Sequence, residues 1–298
     1  MRMTKSLIGL GTMILLAVTF GCGGSGGGDG GGSSTGTVSM SITDAKPVLP
    51  ENVTNCFVTI DEVLAHSPGG GWVPLQMVQT PYTIDLLEFT DGISTEFVPP
   101  AEIPAGKYNQ IRLSVTEATL RFYYPAAGLE PERTEDVTVT IPSENLKTDK
   151  NFDFEVVGSE PAAVDITIDF DLSKSIVVEG PAATPSYKLK PVLHIVETAE
   201  AATIKVTIIN SNFDPSQNAW ITVLSKDANG KYTEEYTKVE VTRQNPPGTT
   251  ISSIFWLVPD QDYMVQIDYD PAAADGPEDE QEVLAGAVGP GEIADVNF

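Results

Sequence analysis

In the stretch "VDITIDFDLSKS", Asp165, Asp169 and Asp171 alternate with Ile166, Ile168, Phe170 and Leu172. Residues two apart on a strand share a face and stand ~6.6 Å apart, given a rise of ~3.3 Å per residue. Asp169 and Asp171 could therefore frame a hard cation, whereas Asp165 is too distant to join without partners from another strand. Calcium takes about six to eight oxygens, so two carboxylates do not complete a site. The same pattern describes a solvated strand face, and that is the simpler expectation. A second acidic set lies in "DYDPAAADGPEDEQE", with Asp268, Asp270, Asp275, Glu278, Asp279 and Glu280. Its spacing departs from the EF-hand loop, which needs alternating oxygen ligands, a central glycine and a closing glutamate. It reads first as a solvated acidic hairpin loop, with calcium stiffening as the alternative. "DANG", Asp227 to Gly230, is simplest as a type I′ hairpin turn.

Other side chains with chemistry to offer lack partners in the sequence. Cys56 sits in "CFVTI" on the parity of Val58 and Ile60, the inward face of a strand, and a metal thiolate or nucleophile there would need neighbours that the chain does not place. The two histidines are His66, in a turn-rich loop, and His194, in a predicted strand. Gly23-x-Ser25-x-Gly27 imitates a nucleophile elbow but lies in a glycine tract without the strand and helix that would expose the serine. Trp72 follows three glycines and is the best candidate for an exposed ring stacking on a sugar or a partner's side chain; the alternative is ordinary rim packing. Paired carboxylates for glycoside hydrolysis are available in so acidic a chain, yet nothing selects a pair.

Charge narrows the partners. The 298 residues carry 17 Lys+Arg against 42 Asp+Glu, a net charge of −25. Removal of residues 1–21 takes away Arg2 and Lys5 and no acid, leaving 15 bases against 42 acids, or −27. Such a chain has no phosphate-neutralising stripe, so nucleic acid is excluded as a partner. The acidity is first a solubility feature.

The N-terminus gives an address. Arg2 and Lys5 precede an uncharged, mostly apolar run from Leu7 to Phe20, 14 residues long. As a helix it would span ~21 Å, short of the ~30 Å hydrocarbon core, which marks a signal peptide rather than a membrane span. Gly21-Cys22 resembles the lipobox of bacterial lipoproteins, although Thr19 and Phe20 stand where that family usually carries leucine and a smaller residue. The resemblance implies cleavage after residue 21, a diacylglyceryl thioether on Cys22 and acylation, as with palmitate, of the new amino terminus. Gly23 in place of aspartate implies sorting to the outer membrane. Several acyl chains anchor stably where one does not. Residues 22–36, "CGGSGGGDGGGSSTG", then form a flexible tether.

From residue 37 onward the chain predicts an all-β protein: two antiparallel β-sandwiches, immunoglobulin-like or transthyretin-like, over 37–198 and 203–298, joined by "AEAA". Period-two alternation recurs in Val38, Met40 and Ile42, in Ile204, Val206 and Ile208, and in Tyr263, Val265, Ile267 and Tyr269. No segment keeps a helical period over three turns. In "IRLSVTEATLRFYY" the apolar parity jumps from Ile111, Leu113 and Val115 to Ala118, Leu120, Phe122 and Tyr124, which predicts a bulge or bend near Glu117. "IPAGKY" at 103–108 and "VPDQDY" at 258–263 share an aliphatic-Pro-x-x-x-Tyr pattern leading into a strand. The pattern resembles the turn-and-strand element of transthyretin-like and carboxypeptidase-regulatory-like sandwiches, with Gln261 in place of the usual glycine.

Six blocks, "VSMSITDAKP", "FVTIDEVLAH" with "GWVPL", "IDLLEF", "IPAGKYNQIRLSV", "DITIDFDLSKSIVV" and "YKLKPVLHIV", occur in the order seen in the bacterial family catalogued as domain of unknown function 4382, which they resemble over most of residues 37–197. That resemblance implies an exported lipoprotein followed by a regulatory-like sandwich, and supplies no reaction. The function expected is therefore a non-enzymatic, lipid-anchored module of the cell envelope, in adhesion, assembly or recognition of an envelope protein or polysaccharide. The alternatives are a calcium- or carbohydrate-binding module and, third, an envelope hydrolase. No cofactor is expected beyond calcium at the acidic clusters.

Overall fold

Alternation lets one face of a strand leave water while the other stays in it, and β-branched residues fit that pleated surface. The computed structural model describes residues 34–298 apart from 45–46, 129, 143–144, 148–152, 159–162, 210–218, 242–248 and 270–279. The signal peptide, Cys22 and nearly all of the glycine tether lie outside the described residues, as do Asp270, Asp275 and Asp279.

The first part of the chain holds β1 (Thr35–Thr43), β2 (Val53–Ser67), β3 (Gly71–Leu75), β4 (Tyr82–Asp85), β5 (Thr95–Pro104), β6 (Gly106–Tyr108), β7 (Gln110–Tyr124), β8 (Arg133–Thr138), β9 (Asn145–Lys147), β10 (Phe154–Val156), β11 (Val164–Phe170), a one-turn helix α1 (Leu172–Ser175), β12 (Ile176–Glu179), β13 (Ser186–Leu189) and β14 (Leu193–Glu197). One sheet runs β14-β11-β1-β5; a second runs β3-β2-β7-β8, with β4 also on β2 and β9 also on β7, and β10-β6 and β12-β13 form two-stranded sheets. The inner faces of the first two share a core in which Val38, Met40, Ile42, Ile166 and Ile168 meet Cys56, Val58, Ile60, Leu113 and Leu120. The second part holds β15 (Ala202–Ile209), β16 (Ala219–Lys226), β17 (Tyr232–Val241), β18 (Thr249–Leu257), β19 (Asp262–Asp268), β20 (Glu280–Ala287) and β21 (Ile293–Asn297). Its sheets, β18-β15-β21 and β17-β16-β19-β20, close on a separate core including Ile204, Val206, Ile221, Val223, Val265 and Ile267. Among the described residues no helix is long and apolar enough to cross a membrane.

Two details follow the sequence closely, the hairpin turn differs in type, and strand direction departs from it. In β7, Val115 pairs with Ile60 and Glu117 with Thr59, so Thr116 is the extra residue, and both parity sets from Ile111 to Phe122 are buried. The bulge thus sits one residue before Glu117. The Tyr108 hydroxyl donates to Pro104 O at 2.7 Å and the Tyr263 hydroxyl to Val258 O at 3.0 Å. Both rings are buried, so each sandwich carries the same tyrosine corner, in which a core ring ties its strand to the turn before it. Asn229-Gly230 does close the β16–β17 hairpin, but only Gly230 has positive φ, +77°. Type I′ needs positive φ at both central residues. Here Asp227 Oδ1 instead holds the turn by accepting from the Asn229 and Lys231 amides at 2.8 and 2.9 Å. The departure is in strand direction: β1 runs parallel to β11, and β15 parallel to β21, within sheets otherwise antiparallel.

β1 takes up Thr35 and Gly36, two residues that composition assigned to the tether. A Cβ on Gly36 would lie 2.4 Å from Val157 O and 2.6 Å from Val156 Cγ1. Gly36→Ala must therefore push backbone aside, and is expected to lower the stability of the folded chain by about 1–3 kcal/mol. Urea denaturation measures it; an unchanged midpoint would mean that the gap opens freely.

Candidate functional site

The most unusual chemistry gathers where the two sandwiches meet. The parallel register sets Thr43 at the end of β1 beside Asp169 on β11, and Asp44 follows directly. Asp44 Oδ1 accepts from the Leu172 amide at 3.1 Å, while Asp171 Oδ1 caps α1 by accepting from the Lys174 amide at 3.1 Å. A loop after β4 closes over the same end: the Asp44 amide donates to Phe89 O at 2.9 Å and Thr43 Oγ1 donates to Ile93 O at 2.7 Å. Its tip, Thr90 to Ile93, turns with positive φ at Asp91 (56°) and Gly92 (83°), the type I′ geometry.

These carboxylates are not on a solvated face. Asp44, Asp169 and Asp171 are 1, 4 and 1% exposed, and over Asp169 the second sandwich covers the side of the sheet that alternation alone assigns to water. Two bulges in that sandwich shape the cover. In β17 the pairing skips Tyr236, between Glu235↔Leu224 and Thr237↔Val223. The freed ring stacks on His194 of β14 at 4.3 Å between centroids and meets Tyr263 edge-on at 5.3 Å. In β18 the pairing passes from Ile254↔Ile204 to Leu257↔Ala202, leaving Phe255 and Trp256 opposite a single residue, with Trp256 at φ 61°. For so bulky a side chain that is a strained backbone, of a kind that marks functional positions. The Phe255 ring lies against Gly92, where an added Cβ would come within 2.8 Å of it.

The charges are unevenly balanced. Lys174 Nζ lies 3.5 Å and His194 Nε2 3.7 Å from Asp171 Oδ2. Lys174 also donates to Tyr236 O at 2.6 Å and to Glu235 O, tying α1 to the second sandwich. Burial, and then the Asp169 carboxylate, hold the Asp44 carboxyl well above the ordinary range. Asp44 Oδ2 and the Trp256 indole Nε1 are buried without a hydrogen-bond partner. Both residues line one small cavity together with Asp169, Asp91, Gly92, Ser253 and Phe255. The space open there to the centre of a water-sized sphere is about 20 Å³, room for one water or one ion. Among the described residues no three His, Cys, Asp or Glu side chains are gathered closely enough to form a complete metal centre.

The other residues singled out in the sequence lie elsewhere. Asp268 ends β19, paired with Trp220 and Glu280. Trp72, on β3 opposite His66, does not offer two free faces: the Arg112 guanidinium lies 3.9 Å from the ring centroid, and the His66 ring is tilted against it at 4.8 Å. His66 Nδ1 in turn bonds Asn109 Oδ1 at 2.9 Å. Cys56 is fully buried, as its parity indicated. Sequence reasoning missed Asp44, although one signal was present: it continues the inward parity of Val38, Met40 and Ile42. Nothing local marks Tyr236 or Trp256, whose roles arise from pairing irregularities.

The molecule is thus an all-β protein with two sandwich cores and a carboxylate-lined junction between them. The chain belongs to the family described as Domain of unknown function (DUF4382), whose model matches residues 35–191, from the first strand to the end of β13. No curated protein matches it. Among solved structures it is similar to the fimbrial anchor protein Mfa2 from Porphyromonas gingivalis, at 9% identity over 83% of this chain and 82% of that one, with a TM-score of 0.20. It is also similar to the TIE protein of Bacillus anthracis, at 10% identity over 92% of this chain and 58% of that one, TM-score 0.20. A candidate adhesin from Bacteroides ovatus matches at 8% identity over 89% of this chain and 92% of that one, TM-score 0.19. Superpositions this loose define no function.

Two measurements probe the junction. Lys174→Ala removes a charged donor from two carbonyls and an ion partner from Asp171; it is expected to cost about 2 kcal/mol and, in calorimetry, to separate the melting of the two sandwiches more than in the wild type. Burial, and then the Asp44 and Asp85 carboxylates, push the Cys56 thiol far up. Iodoacetamide at pH 8 should therefore leave Cys56 unmodified in the folded protein and alkylate it in urea. Rapid labelling of the native state would contradict the closed core.

Proposed function

We propose that this chain is a non-enzymatic lipoprotein of the bacterial envelope, held at the outer membrane through lipidated Cys22, whose two joined sandwiches act in adhesion, envelope assembly or ligand recognition. The observation that carries the reading is Gly21-Cys22 after a signal-peptide-like run, followed by a glycine tract that leads directly into β1 at Thr35. With Cys56 sealed in the core, Cys22 is the thiol left for modification. The family carries no assigned reaction. Among the described residues neither histidine sits beside a nucleophile: His66 is spent on Asn109 and Trp72, and His194 on Tyr236 and Asp171. The carboxylates that do come together are closed into the junction, away from any polymer long enough to be cleaved. Polysaccharide and protein partners both suit an exposed β surface of this acidity, and copurification with the lipidated form separates them.

Wild-type protein is expected in the outer-membrane fraction and to label with an azido-palmitate analogue. Cys22→Ser should lose the label, keep its leader and leave that fraction. A Cys22→Ser protein that is processed normally and stays membrane-bound refutes the anchor.

A further inference from the structure

Each of the three arginines among the described residues lies on an aromatic ring: Arg112 on Trp72, Arg121 on Phe57 and Arg133 on Tyr124, at 3.9, 4.9 and 4.2 Å from guanidinium carbon to ring centroid. Stacking fixes the guanidinium plane and leaves its edge donors for a carboxylate, which they meet as a fork. Arg121 uses them in that way, with Nε and Nη2 donating to the two Asp136 oxygens at 2.7 and 2.8 Å. Arg133 Nη1 lies 3.3 Å from Glu135 Oε2. Arg112 has no such acid among the described residues. Its Nε is buried without a hydrogen-bond partner; the two terminal nitrogens also lack one, and unlike Nε they are not sealed from solvent.

Strand register sharpens the contrast. Asp136 of β8 stands directly opposite Arg121, whereas the residue directly opposite Arg112, on β9, is Lys147. Like charges placed opposite each other on neighbouring strands destabilise a sheet. In a chain of 42 acids and 17 Lys+Arg, two bases in register are the less expected pairing, and a negative ligand relieves them. Glu62, opposite Ser114, is the nearest acid by register and forms no ion pair with Arg112. The other positions on this face of β7, Gln110 and Ser114, are polar and uncharged. His66 lies against the same indole, its Nδ1 held by Asn109 and its Nε2 uncommitted.

We propose that Arg112, held flat on Trp72 and flanked by His66, binds the carboxylate of an acidic sugar, a uronic acid within a polysaccharide. Because Nε is covered, the carboxylate meets the two terminal nitrogens end-on. Trp72 serves by fixing the guanidinium rather than by stacking on the sugar. One carboxylate set among neutral hydroxyls suits the site better than a dense polyanion, which a protein of net charge −25 repels. The sugar hydroxyls match the polar, uncharged surroundings, for which a bare peptide carboxylate has no counterpart. The inference rests on the recognition reading above, to which it gives a ligand class, and is independent of the lipid anchor.

The test uses the full mature chain and two disaccharides that differ in one group: cellobiouronic acid, with a single carboxylate, and neutral cellobiose. Titration calorimetry is expected to give a dissociation constant on the order of 1 mM for the acid and binding roughly tenfold or more weaker for cellobiose, the size of one charge-assisted pair. Arg112→Lys keeps a cation over the indole but loses the planar fork, so affinity should fall roughly tenfold at an unchanged melting temperature. Arg112→Gln should abolish binding. Lys147→Asp, which rebuilds the arrangement of Arg121 and Asp136, should block it, while Arg121→Gln should leave it intact. The proposal is overturned if the two disaccharides bind alike or not at all, or if the acid binds Arg112→Lys, Arg112→Gln and Lys147→Asp as it binds the wild type. It is equally overturned if acetate or acetyl-glycylglycine binds as tightly as the uronic acid. An envelope partner that still copurifies with the Arg112→Gln chain would overturn this site and leave the recognition reading standing.

Discussion

Withdrawing Asp44, Asp169 and Asp171 from water at one end of a sheet is the constraint around which the rest of the junction is arranged. Continuum estimates put the effective penalty at several kcal/mol per buried ion even after relaxation, and attraction to a partner offsets it only where geometry is good. The fold answers with local devices. α1 exists for a single turn, and its cap is Asp171 and its amide partner is Asp44. Lys174, on that same turn, faces Asp171 and at the same time reaches across to two carbonyls of β17. The loop after β4 is pinned by Thr43 and Asp44 so that its glycine lies under Phe255. None of these features would be needed if the end of the sheet faced solvent.

Topology is what brings the carboxylates together. Asp44 and Asp169 are separated by most of the first sandwich in sequence, and become neighbours because β11 inserts beside β1 in parallel, with Thr43 opposite Asp169. An antiparallel insertion would place opposite ends of the two strands together and scatter the acids. The second sandwich repeats the arrangement with β15 and β21, so its last strand returns alongside its first. The paired tyrosine corners add to the likeness, and in the second sandwich the corner ring does double service: Tyr263 supports the edge of Tyr236, which in turn lies on His194. A core anchor of one sandwich is thereby connected to the surface of the other through two rings.

Much of this was legible from the chain alone, for identifiable reasons. Alternation is a local signal, so the strands and the parity jump in β7 could be read directly, down to a bulge that fell one residue from where it was expected. The tyrosine pattern was legible as an echo, because a proline-fixed turn and a buried ring demand particular residues at fixed spacing. Asp169 was legible as a candidate but its burial was not, since the cover comes from residues of the second sandwich more than sixty positions away, and alternation assumes that the second face of a sheet meets water. Strand direction was likewise out of reach: parallel and antiparallel neighbours ask for the same period. The neighbours of Trp72 were out of reach for a related reason, as Arg112 arrives from β7, two strands over.

The position of β1 has a mechanical consequence. It is a central strand, bonded along its length to β5 on one side and to β11 on the other, and its first residue is where the glycine tract ends. A load applied through that tract would draw β1 lengthwise, so that the hydrogen bonds on both edges are strained together in shear rather than opened one at a time from an end. A strand held in this way resists pulling far better than one peeled from a sheet edge. Force arriving at the amino terminus would therefore meet both edges of β1 at once.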